Sequence, residues 1–129
     1  MVDVDVARRC VELFDLVRDR TKHPSVVLDF EWIPSPDYIT GRDDYYRIHI
    51  YGVDWSLVHY TYEAVFIDFP EKGIESVEHT LREMFRKIKG NASVYVFHKV
   101  RDGLREIGTF KDEDKFIHDT VAYIQNMIR

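Results

Sequence analysis

From Tyr45 to Phe69, aromatic and β-branched residues alternate with polar ones at a period of two, broken by Gly52-Val53-Asp54-Trp55. That pattern predicts a long antiparallel hairpin with one core face and one polar face. A one-residue slip would send every side chain to the wrong face, so the register can be argued from the alternation. Setting Gly52 opposite Ser56 opposes Ile50 to Val58, Ile48 to Tyr60 and Tyr46 to Tyr62 on the core side. On the polar side it opposes Tyr51 to Leu57, His49 to His59, Arg47 to Thr61 and Tyr45 to Glu63. Beyond Glu63 the phase changes, with Val65, Ile67 and Phe69 on the other parity. This predicts either a bulge near Ala64 or an end buried on both faces.

Before the hairpin, Val6, Cys10, Leu13, Phe14 and Val17 form one stripe of a helix over residues 4–21. Cys10 lies on the stripe and is read as a small buried hydrophobe. His23-Pro24 stops the helix. Val26 to Ile33 is the first strand, with Val26, Leu28, Phe30 and Trp32 on one face and Asp29 and Glu31 on the other. An eleven-residue connection, 34–44, leads into the hairpin. After it, Val77, Leu81, Met84, Phe85 and Ile88 mark a helix over 75–89, closed by Gly90-Asn91. Residues 93–100 and 104–110 make a second hairpin around Asp102-Gly103. A two-residue loop there opposes Lys99 to Glu106, and a three-residue loop opposes Val100 to Leu104. Asp112 caps a last helix ending near Met127.

The fold class is therefore α+β, a single domain over residues 1–129 in the order α-β-β-β-α-β-β-α. The expected architecture is a mainly antiparallel five-stranded sheet with the helices packed on one face. The connection through the second helix can place Val94 to Val100 beside a non-sequential strand. This element order resembles that of small acidic type III secretion chaperones and their structural relatives, and the resemblance implies a dimeric protein-binding module. The first five elements also resemble a double-stranded-RNA-binding domain. Such domains open their second helix with a lysine-rich segment, whereas this one opens Ile74-Glu75-Ser76-Val77-Glu78.

Composition narrows the function. A formal charge of −5 disfavours binding to a phosphate backbone, and no apolar run approaches a membrane span. A lone cysteine and no export pattern at the start of the chain lead to the expectation of a reducing, cytoplasmic setting. Catalytic and cofactor motifs are lacking: there is no Gly-rich phosphate loop, Cys-x-x-Cys, His-Glu-x-x-His or Gly-x-Ser-x-Gly. No cofactor is expected.

Two readings follow. The polar hairpin face gathers Asp29, Glu31, Tyr45, Arg47, His49, His59, Thr61 and Glu63 if the first two strands are neighbours. His49, His59 and Glu31 then suit a divalent metal, while His49, His59, Arg47 and Asp29 suit acid–base chemistry with an anion clamp. The other reading is a non-enzymatic adaptor or chaperone-like module that binds another protein and forms a homodimer. It rests on the wide apolar band of the last helix, whose expected interface residues are Phe116, Val121, Tyr123, Ile124, Met127 and Ile128.

Overall fold

Val26 and Val27 are both fully buried, although successive residues of a strand point to opposite faces. The strand that carries them, β1 (Ser25–Ile33), therefore lies at the centre of a sheet covered on both sides. The computed structural model describes residues 4–34, 44–54, 61–69 and 72–128, and the side chains of 5–7, 10 and 61–64 fall outside the description. Its elements follow the expected order: α1 (Val4–Arg20), β1, β2 (Tyr45–Asp54), β3 (Thr61–Phe69), α2 (Gly73–Lys89), β4 (Val94–Val100), β5 (Gly103–Phe110) and α3 (Glu113–Met127). The strands form one five-stranded sheet in the order β3-β2-β1-β4-β5. All pairs are antiparallel except β1 with β4, where Ser25 opposes Tyr95 and Leu28 opposes His98 in a parallel ladder. The connection from β3 through α2 brings β4 beside β1 rather than beside β3.

The expectation that the helices share one face holds for α2 and α3 only. Val77, Leu81, Met84, Phe85 and Ile88 of α2 and Phe116, Ile117, Val121 and Ile124 of α3 pack on Val26, Leu28, Ile48, Ile50 and Ile67. Helix α1 takes the opposite face, where Leu13, Phe14 and Val17 meet Val27, Tyr51, Val53 and Phe97. The unbroken apolar run Val26-Val27-Leu28 is the sequence signature of this two-sided burial. The side chains of Val6 and Cys10, expected on the same stripe, lie outside the described residues.

The expected register of the central hairpin is overturned. His49 opposes Phe66, not His59, and Arg47 opposes Asp68. Strand β2 runs on through Gly52 to Asp54, and the ladder with β3 continues without a shift from Asp54↔Thr61 to Tyr46↔Phe69. This alignment sets Ile48 against Ile67 and Ile50 against Val65. The phase change noted beyond Glu63 is thus the phase of β3 itself rather than a bulge. Residues 55–60, His59 among them, and the connection 35–43 lie outside the described residues.

Two glycines are needed where they stand. A Cβ on Gly52 would collide with the Sδ atom of Met84, so its absence lets α2 settle directly on β2. Gly103, at φ 145°, opens β5 after the two-residue turn Arg101-Asp102. Neither expected register occurs beside this turn, since Val100 opposes Gly103 and Lys99 opposes Leu104. Further along, Phe97 opposes Glu106 while Val96 opposes Gly108, which leaves Ile107 as a bulge.

Candidate functional site

Pairing of β1 with β2 sets Asp29 opposite His49 and Glu31 opposite Arg47, on the face that α1 covers. Four of the sequence-predicted residues are thus brought together. Pairing of β2 with β3 adds Phe66 and Asp68, and α1 adds Arg9. His49 is only 6% exposed. Its Nε2 lies 2.8 Å from Oε2 of Glu31. A carboxylate can only accept, so this bond places the proton on Nε2 of His49. Arg9 donates from Nη1 to the same Glu31 oxygen at 3.5 Å and lies 3.4 Å from His49 Nε2. The hydrogen bond from His49 pulls the Glu31 carboxyl below its ordinary range, against the opposing effect of burial, and Arg9 adds to the pull. Burial has the upper hand at Asp29, whose carboxyl is held above its ordinary range despite the attraction of His49, Arg9 and Lys99.

Arg47, the expected anion clamp, is already engaged: its Nε donates to Asp68 Oδ1 at 2.8 Å and its Nη2 to Oδ2 at 3.2 Å. The guanidinium also lies 4.8 Å from the centre of the Phe66 ring, in a cation–π contact. The Arg9 guanidinium already stands beside both groups, 3.4 Å from His49 Nε2 and 3.5 Å from Glu31 Oε2. No group of three metal-ligating side chains occurs among the described residues, and His59 lies outside them. Arg9 joins the sheet to the N-terminal half of α1, so the cluster acts as a latch for that helix. Neither Arg9 nor Asp68 is among the sequence-predicted site residues, and Asp68 is missed through the register. The one available signal is that Arg47 and Asp68 each stand among aromatic and aliphatic neighbours in runs with few charges.

The apolar band of α3 is mostly consumed within the chain, which corrects the expected interface. Phe116 and Ile124 are fully buried, Val121 is nearly so, and Ile128 packs partly against the same core. Tyr123 points its hydroxyl to Nδ1 of the buried His98, 2.5 Å away. Burial, with Arg105 nearby, holds the His98 imidazole below its ordinary range and therefore neutral. Met127 is left exposed. The band is wide because α3 rests on both α2 and the sheet.

Besides Val4 and Val11 of α1 and Trp32 of β1, exposed apolar surface appears on β3, an edge of the sheet among the described residues. Val65 is 38% exposed and Phe66 55% exposed, on opposite faces of this strand. The β3 sequence, Thr-Tyr-Glu-Ala-Val-Phe-Ile-Asp-Phe, contains no lysine and no proline, and its ladder has no bulge. The other edge, β5, carries the exposed Arg105 and Glu106 and is kinked by the Ile107 bulge. Comparison with protein-family models, curated proteins and solved structures finds no match for this chain. No helix among the described residues is long and apolar enough to cross a membrane.

Proposed function

We propose that this chain is a non-enzymatic protein-binding module and that β3 is its docking strand. The observation that supports this reading is the contrast between the two sheet edges. Unpaired edge strands present rows of free N–H and C=O groups, and proteins normally blunt them with charge, proline, bulges or a cover. Strand β5 is kinked by its bulge and exposes Arg105 and Glu106, while β3, whose Asp68 is tied to Arg47, offers nine regular residues with Val65 and Phe66 exposed. An extended segment laid along such an edge gains main-chain hydrogen bonds for affinity and side-chain pockets for specificity. The aromatic ring of Phe66 supplies a large apolar anchor, held from below by Arg47. The polar cluster of Arg9, Glu31 and His49 serves in this reading to fix α1 to the sheet, not to carry out chemistry.

Site-specific photo-crosslinking tests the proposal. A photoreactive residue placed at position 66 is expected to capture a protein in the cell, and Val65→Lys is expected to abolish that adduct. The same residue at position 105 on β5 is expected to give none. Equal capture at both positions, or none at 66, contradicts a docking role for β3.

A further inference from the structure

Resting on that reading, we infer that the segment docked on β3 is the β3 strand of a second copy of this chain. The two strands run antiparallel about a twofold axis at Val65, joining two five-stranded sheets into one. An axis normal to the sheet keeps the helical layers of both copies on the same sides, so residues of equal parity must face each other.

The sequence of β3 favours one such alignment. Centring on Val65 pairs the full strand: Val65 with its own mate, Ala64 with Phe66, Glu63 with Ile67, Tyr62 with Asp68 and Thr61 with Phe69. No like charges oppose each other, and the exposed Phe66 falls opposite Ala64, the smallest residue of the strand. Centring on Glu63 or Asp68 would set two identical carboxylates face to face, which is destabilising. Centring on Ala64 or Phe66 would leave two residues unpaired at one end. At the register that forms the longest ladder, the strand thus avoids opposing like charges and sets its large exposed ring against a small residue. Strand β5 lacks this property, since its bulge interrupts any regular ladder.

The alignment makes a sharp chemical prediction, because only a residue on the axis meets its own copy. Directly opposed residues of antiparallel strands have Cα atoms roughly 4.5–5.5 Å apart, within the range a disulfide spans. In a Cys10→Ser background, Val65→Cys is expected to form an intermolecular disulfide under mild oxidation, and Ala64→Cys is not. Sedimentation velocity of the unmodified chain is expected to show a monomer–dimer equilibrium between micromolar and submillimolar concentration. Val65→Lys sets two lysines opposite each other at the axis and is expected to weaken association about tenfold or more. Phe66→Lys serves as a second variant, and circular dichroism confirms that each keeps its fold. A chain that remains monomeric throughout this range and yields no Val65→Cys disulfide overturns the inference. Equal disulfide formation at 64 and 65 overturns the register. If the monomer still gives the position-66 adduct with another protein, the dimer fails while the docking role of β3 survives. If that adduct is also missing, both fail.

Discussion

Arg47 and Asp68 face each other across β2 and β3, joined by two parallel hydrogen bonds that close a fork-to-fork pair. Both side chains are partly shielded, with 31% and 22% of their surface exposed. Fork geometry makes such a pair directional, so it fixes the register of β3 as well as adding attraction. A double-mutant cycle with Arg47→Ala and Asp68→Ala is expected to return a coupling of about 1 kcal/mol that falls as salt is raised. A coupling near zero would mean that the hairpin is aligned by its apolar pairs alone.

The two carboxyls under α1 respond to pH in opposite directions. Burial holds the folded-state value of Asp29 above its ordinary 3.8, so the folded chain binds more protons there than the unfolded one. The contribution of Asp29 is therefore favourable below that value and is lost as the pH rises through the raised folded one. Glu31 is lowered, first by the hydrogen bond from His49, so its contribution is present above its ordinary 4.5 and fades as the pH falls through the lowered value. Urea unfolding is expected to show Asp29→Asn more stable than the parent at neutral pH, with the gap closing in acid. Glu31→Gln is expected to be less stable at neutral pH, and its gap also closes in acid. An Asp29→Asn variant less stable than the parent at pH 7 would contradict this assignment.

At Gly52, even one methyl group must displace Met84. Gly52→Ala is expected to destabilise the fold by about 1–3 kcal/mol through overpacking. Shortening the opposing side chain by Met84→Ala leaves room for that methyl. The double variant is therefore expected to be less destabilised than the two single losses summed. Strict additivity would place the crowding elsewhere.

Ile124 and Met127 lie on one helix but have different fates. Ile124 is fully buried, whereas Met127 is 40% exposed. Thermal denaturation is expected to show Ile124→Ala losing about 2–5 kcal/mol and Met127→Asp changing stability by no more than about 0.5 kcal/mol. If Met127→Asp dissociates a dimer, α3 regains the interface role that its band first suggested.

Much of the fold was legible because helical stripes and strand runs are local properties. Val77, Leu81, Met84, Phe85 and Ile88 are all buried as their spacing requires, and Asp112 caps α3 by accepting from the backbone N–H groups of Asp114 and Lys115. What stayed hidden was relational. The stripe of Leu13, Phe14 and Val17 states that α1 has an inner face but not which side of the sheet it covers. The alternation of residues 56–62 suggests one strand phase, whereas β3 follows the opposite parity of Val65, Ile67 and Phe69. That choice decided the candidate site as well. It paired His49 with His59 and left Asp68 unnoticed, although Asp29, Glu31, Arg47 and His49 were gathered correctly because β1–β2 pairing alone suffices for them.

Amide hydrogen exchange along Thr61–Phe69, compared at low and high protein concentration, tests self-association through β3 most directly. Among the described residues, amides that point away from β2 have no strand partner, and a second strand would supply one. They are expected to exchange more slowly at high concentration, with those of Gly103–Phe110 on the other edge unchanged. Identical exchange on β3 at both concentrations, or equal slowing at both edges, would contradict the account.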